Sequence, residues 1–210
     1  MTAKTILSLA NAHPTIGTPE NAALIIIDAQ EEYRSGALPL SGLDDALANA
    51  ASLLDHWRNK GGMVIHIVHH GAPGGAVFNP DGEYVAILPE VRPQEGEEVL
   101  VKNVPNSFGH TGLDDILKKA GLKNIVLAGF MTHLCVSTTA RMGHQGGYGV
   151  TVIADATATR DLPVPPTLNT ATNAHDRASV IPAEILHKAE LAMLGDIFAT
   201  IARTDAVIAA

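Results

Sequence analysis

Ala22-Ala23-Leu24-Ile25-Ile26-Ile27, closed by Asp28, is six apolar residues without a polar one between them. A strand with one wet face alternates, whereas a strand covered on both faces reads as a continuous Val/Ile-rich run. Similar runs recur downstream at Met63 to Val68, Val99 to Val101, Ile125 to Ala128 and Val150 to Ala154. Between them the period changes to that of a helix. Leu43 to Asn59 carries Leu43, Leu47, Leu53, Leu54 and Trp57 and stops at Gly61-Gly62; Leu113 to Ala120 carries Leu113, Ile116 and Leu117 and stops at Gly121. Pro182 opens a predicted last helix reaching Arg203, with Ile185, Leu186, Leu191, Leu194, Ile197, Phe198 and Ile201 on its apolar face. Strand and helix in alternation predict an α/β fold: an open parallel sheet with helices on both faces, three layers in all. The segments His70 to Gln94 and Arg160 to Pro166 are Pro/Gly-marked and are expected to cover the top of the sheet.

Composition narrows the class. With 210 residues the chain reads as one domain, 1–210, without linker or repeat. Apolar residues at 46% exclude a disordered chain, and 14 Lys and Arg against 22 Asp and Glu leave a net charge of −8. An acidic chain without a basic block predicts no nucleic-acid or anionic-membrane partner. The single cysteine, Cys135, can form neither an internal disulfide nor a thiolate metal cage. No secretory h-region or membrane-length apolar run is read, so a cytoplasmic setting is expected.

Ligands of open α/β sheets bind beyond the carboxyl ends of the strands. The residues just past each run are therefore informative. Asp28 comes after the first, His69 and His70 after the second, Lys102 after the third and Asp155 after the fifth. The fourth runs into Gly129-Phe130-Met131-Thr132-His133-Leu134-Cys135. A carboxylate, an ammonium and the only thiol thus meet at one sheet edge. Each has a plainer reading: a strand-end Asp as a turn cap, Lys102 as a solvated lysine, Cys135 as a buried structural thiol. Together they suggest a nucleophile, its base and a charge partner. Cys135 is placed in the first turn of a helix, where unpaired N–H groups and Lys102 favour thiolate, and Asp28 can accept and return the proton. The Gly71 to Gly75 loop lacks dinucleotide spacing, and no G-x-S-x-G elbow is present.

Leu24-Ile25-Ile26-Ile27-Asp28-Ala29-Gln30, Val101-Lys102 with Ser107-Phe108 and Thr111-Gly112-Leu113, and Ala128 through Val136 resemble, in order, three motifs of the isochorismatase-like cysteine hydrolases. Ala154-Asp155-Ala156 is similar to the segment after that family's fifth strand, and the likeness runs from Ala22 to Ile201. The resemblance implies a six-stranded parallel sheet, with Ser179-Val180-Ile181 as a short sixth strand. It implies Asp28 as base, Lys102 as orienting cation and Cys135 as nucleophile. It also implies a cis bond at Phe130–Met131, turning the Met131 N–H toward an oxyanion beside that of Cys135. Tyr33, Phe130 and His133, with His110 and Phe108 behind them, are the pocket candidates. The implied activity is cleavage of a small amide or ureido compound through a thioester, by a homo-oligomer without cofactor. Nicotinamidases of this family hold a metal ion with Asp-x-His and a later His. No such pair lies downstream of Leu38, and His66, His69 and His70 offer no carboxylate partner by spacing, so no metal site is expected. The alternatives are a metal-assisted nicotinamidase and a redox sensor using Cys135.

Overall fold

The computed structural model describes residues 3–12, 14–168 and 180–209. Helices α1 to α6 span Ile6–Leu9, Leu43–Asn59, Leu113–Lys119, Ser137–Gln145, Ala183–Ile197 and Thr204–Ile208. Strands β1 to β5 span Ala22–Ile27, Val64–His69, Glu98–Lys102, Asn124–Phe130 and Gly149–Ala158. The short strands β6, β7 and β8 are Leu162–Pro163, Val180–Ile181 and Thr200–Ala202. Six strands form an open, all-parallel sheet in the order β3-β2-β1-β4-β5-β8.

The strand order explains why the central runs are continuously apolar. In β1 every residue is buried, and alternate side chains feed two separate cores. Ala22, Leu24 and Ile26 pack with Leu47, Leu54 and Trp57 of α2 and Val207 of α6. Ala23, Ile25 and Ile27 pack with Leu113 and Leu117 of α3, Ala140 of α4 and Leu194 of α5. Each fully buried Leu or Ile contributes about 1.5–3 kcal/mol of transfer free energy, so a six-residue run covered on both sides is the natural centre of the sheet. The Trp57 Nε1–H donates to Ala22 O at 3.2 Å, tying the end of α2 to the start of β1.

Three expectations are corrected. The sixth strand of the main sheet is β8, not the segment at 179–181. Val180–Ile181 pairs antiparallel with Leu162–Pro163 in a separate two-stranded ribbon, and Ser179 lies outside the described residues. The last long helix consequently ends at Ile197 rather than Arg203. Ile201 fits the helical spacing, but Thr200, Ile201 and Ala202 pair instead with Thr151, Val152 and Ile153. Without them β5 would be an unpaired edge, and the ladder outweighs the local period. Finally, β3 is not covered on both faces. It is the opposite edge strand, with Val99 45% and Val101 49% exposed, and only Lys102 at its end is buried.

Candidate active site

Walking outward from β1, the chain goes to β2 and β3 on one side and to β4, β5 and β8 on the other. The order therefore reverses between β1 and β4. Connections leave in opposite directions there, which opens a crevice at the strands' carboxyl ends. Asp28 follows β1 directly, and the peptide leading to Cys135 follows β4 directly. Gly129 makes the approach possible: at φ 109° it lies so close to β1 that an added Cβ would fall 2.1 Å from Ile27 O. The β4–β5 register shifts at the same residue.

Lys102 arrives from the far edge and crosses beneath the end of β2. Its Nζ stands 2.7 Å from Asp28 Oδ2, 3.3 Å from Cys135 Sγ and 3.2 Å from His69 Nδ1. Asp28, Lys102 and Cys135 are 0%, 2% and 4% exposed, so this is a dry constellation. The Asp28–Lys102 contact is a close ion pair that is not aligned as a hydrogen bond, and both carboxylate oxygens are without a hydrogen-bond donor among the described residues. Asp28 is also one of the few non-glycine residues in the left-handed region, at φ 48°, a conformation that costs of order 1–3 kcal/mol and that surrounding structure must hold. Its backbone N–H donates to Ile67 O and its carbonyl accepts from Gln30 N, each at 2.9 Å.

Cys135 is not in the first turn of a regular helix. Thr132–Val136 is a single π-helical turn ahead of α4, in which the Val136 N–H reaches back five residues to Met131 O at 3.2 Å. Such turns widen the backbone and recur at functional sites. The Phe130–Met131 peptide is cis, and the Met131 N–H has no acceptor among the described residues. Thr132 Oγ1 is 2.9 Å from Nδ1 of His187 on α5, so the turn is held from a second helix.

Protonation departs from the expectation of a low-pKa thiolate. Burial pushes the Cys135 thiol up to about 12; the Asp28 charge adds to the rise, and Lys102 only partly opposes it. Burial also raises the Asp28 carboxyl, against the pull of Lys102. Thiolate and carboxylate side by side in a dry site disfavour one another. Burial thus works against the thiolate, and Lys102 is the one cation in contact with both groups among the described residues.

The pocket candidates divide. Tyr33 and Phe130 are buried, with rings 5.8 Å apart, and Phe78 packs edge-on to Tyr33 at 5.3 Å. Burial raises the Tyr33 hydroxyl well above its usual range, and the charges of Asp28 and Cys135 add to this. His133 is half-buried, and its Nδ1 contacts Thr159 Oγ1 at the end of β5. A cleft of about 360 Å³ is lined by residues including Asp45, Asn49, Thr159 and His187, but by none of Asp28, Lys102 and Cys135. Phe108 stacks on Tyr148 at 5.6 Å and packs against the core cluster that includes Cys135, whereas His110 is exposed. Asp155 leaves the site altogether. Because β5 continues to Ala158, Asp155 sits within the strand and caps α6, accepting from Thr204 N and Thr204 Oγ1 at 2.9 Å each.

Three residues escaped sequence reasoning. Gln30 clamps the end of β2, accepting from His69 N at 2.8 Å and donating to His69 O at 3.0 Å and Val85 O at 2.8 Å. Glu32 is buried and accepts from Ala37 N at 2.7 Å and Phe78 N at 3.0 Å, which seats Phe78 over the site. The available signal was two polar residues just after a buried strand. Phe78 carried no signal, since it lies inside an irregular segment. Among the histidines, His66 does have a carboxylate partner: its Nε2 is 2.9 Å from Glu97 Oε2, with Arg58 on the same carboxylate. Sequence spacing could not bring Glu97 under β2. His69 faces Lys102 instead, and no group of three or more potential metal ligands occurs among the described residues.

An all-parallel sheet with a buried Asp, Lys and Cys meeting at its switch point defines the protein as an α/β enzyme of the hydrolase type. The isochorismatase domain matches residues 22–205. A secreted isochorismatase effector, Isc1, of Verticillium dahliae is 37% identical over 194 residues, covering 92% of this chain and 94% of that one. A ureidoacrylate amidohydrolase, RutB, of Klebsiella pneumoniae is 31% identical over 175 residues, covering 66% of this chain and 74% of that one. The crystal structure of an isochorismatase from Pseudomonas putida KT2440 superposes with a TM-score of 0.88 at 39% identity, covering 98% of this chain and 100% of that one. The chain belongs to the isochorismatase family of hydrolases. No helix among the described residues is long and apolar enough to cross a membrane.

Proposed function

We propose that the protein is a cysteine-dependent amidohydrolase that cleaves a C–N bond of a small amide or ureido compound through a thioester on Cys135. The observation that carries this reading is Lys102 Nζ within contact distance of both Asp28 Oδ2 and Cys135 Sγ, all three side chains being buried. Asp28 takes the thiol proton as sulfur attacks the carbonyl carbon. The C–S bond forms, and the oxygen's negative charge falls toward the N–H groups of Met131 and Cys135. The C–N bond then breaks, and the amine leaves with the proton held on Asp28. Water attacks the thioester, gives its proton to the same carboxylate, and the acid leaves as the thiol is restored. Throughout, Lys102 keeps Asp28 ionised and offsets charge developing on sulfur. A raised thiol pKa suits this order of events: sulfur is deprotonated as it attacks, not beforehand.

Tyr33 and Phe130 shape the pocket from behind, and His133 faces substrate from the π turn. The amide class is supported by the amidohydrolase relative. A redox sensor would present an accessible, low-pKa thiol; Cys135 is buried and raised. The reading includes a cytoplasmic homo-oligomer, although one relative is secreted by name. The test is an ammonia-release screen over small amides and ureido acids beside Cys135→Ala. Hydrolysis by the parent and its near-complete loss in a folded Cys135→Ala protein are expected. Retained turnover in that variant would remove the thioester mechanism.

A further inference from the structure

Lys102 cannot place itself. It hangs from an edge strand, and a lysine ammonium is a point charge on four rotatable carbons. An ammonium has three N–H donors and no acceptor. The ion-pair contact to Asp28 and the hydrogen bond to Cys135 fix the head group from two sides only, in a site with almost no exposure. The third contact is His69 Nδ1 at 3.2 Å. Since Lys102 can only donate, Nδ1 must be the unprotonated nitrogen, and the ring hydrogen resides on Nε2.

We propose that His69 is the positioning residue of Lys102: its Nδ1 takes one ammonium N–H, which holds a second on Cys135 Sγ and keeps the charge against the Asp28 carboxylate. The inference rests on the reacting pair assigned above, and it adds a residue to which no role in the reaction had been given. Two features make His69 a fixed reference point. Its backbone N–H and carbonyl are both clamped by the buried Gln30 side chain, at 2.8 and 3.0 Å. Its ring packs edge-on against Phe78, with centroids 5.0 Å apart, and Phe78 is seated in turn by Glu32. The strand register also opposes His69 to Lys102, so the contact follows from sheet pairing. The imidazole stays neutral: burial first, then the charges of Lys102 and His70, lower its pKa to about 4. It therefore remains an acceptor through the neutral range.

The test uses iodoacetamide on the full-length protein, read by mass spectrometry at Cys135, the only cysteine, so it needs no known substrate. A misplaced ammonium stabilises thiolate less, and one unit of thiol pKa is a tenfold change in thiolate. His69→Ala is expected to slow alkylation about tenfold, the change in thiolate that one unit of thiol pKa brings. A merely wider entrance would speed it. His69→Asn puts an acceptor oxygen near the position of Nδ1 and should restore most of the rate. His69→Gln reaches toward the Nε2 position and should not. In a Lys102→Ala background, His69→Ala should add little further loss, because the two act as one unit. Unchanged alkylation in folded His69→Ala, equal behaviour of Asn and Gln, or losses that multiply in the double variant would overturn the assignment. Failure to hydrolyse any amide, with these alkylation effects intact, would remove the proposed function and leave this role standing.

Discussion

Lys102→Met is the perturbation that separates a reactive ion pair from a merely buried one. At 2.7 Å and an effective dielectric of 20, the attraction between the two charges is about 6 kcal/mol. Much of that offsets the cost of drying both groups, so the net change is smaller. Removing one partner of a buried pair costs about 3–5 kcal/mol because the other charge is left uncompensated. The other donor facing Asp28 is the Cys135 thiol, which is a weak one and carries no charge to replace the lysine's, and this favours the upper end. The carboxyl is already raised above its ordinary value by burial, and losing Lys102 raises it further. A raised acid binds its proton more tightly folded than unfolded. Its contribution is full below the unfolded pKa and is lost as pH rises through the folded one. Urea titrations should therefore find Lys102→Met losing more stability at pH 8 than at pH 5, by about 1.4 kcal/mol for each unit of additional rise traversed. Asp28→Asn in the same background should flatten the slope and recover part of the stability. A loss below about 1 kcal/mol with no pH dependence would refute the idea that Asp28 depends on Lys102 for its charge.

Gly129→Ala should be destabilised by more than about 2 kcal/mol in urea and should be slow toward substrate, since its Cβ meets the β1 backbone at Ile27 O. Dialysis against a strong chelator should leave hydrolysis unchanged, because His66 is committed to Glu97 and His69 to Lys102; activity lost with bound metal and regained on its return would favour the nicotinamidase reading. Sedimentation at micromolar concentration should show an assembly larger than 22.0 kDa, as Ile185 and Met193 stand exposed on α5 and Val99 and Val101 on the β3 edge; a clean monomer would exclude it.

The parallel sheet and the acidic, basic and thiol groups at one edge were legible because each rests on local signals. Buried runs mark strands, Gly61 and Gly121 mark helix ends, and reactive residues fall at carboxyl termini. The features that were not legible depend on distant partners. Asp155 reads like Asp28 in sequence, yet one caps α6 and the other faces Lys102; only the length of β5 distinguishes them. Ile201 has helical spacing, and its strand is decided by the open edge of β5. The thiol's protonation could not be read from a helix start, because burial and the Asp28 charge exceed the help from Lys102. Phe78 and Gln30 matter through loop packing, which leaves no period behind.

Two of the three reacting groups follow the central strands β1 and β4, but the ammonium is carried by β3, which has one neighbour and an exposed outer face. Opening free energies vary across a fold, and an edge strand lies at the low end. The catalyst thus has a weakest member set by architecture instead of chemistry. Fraying of β3 would disarm the site while β1 and β4 keep their pairing. Heat should accordingly erase turnover reversibly a few degrees before the fold melts, with the amides of 98–102 exchanging hydrogen for deuterium well ahead of those in 22–27.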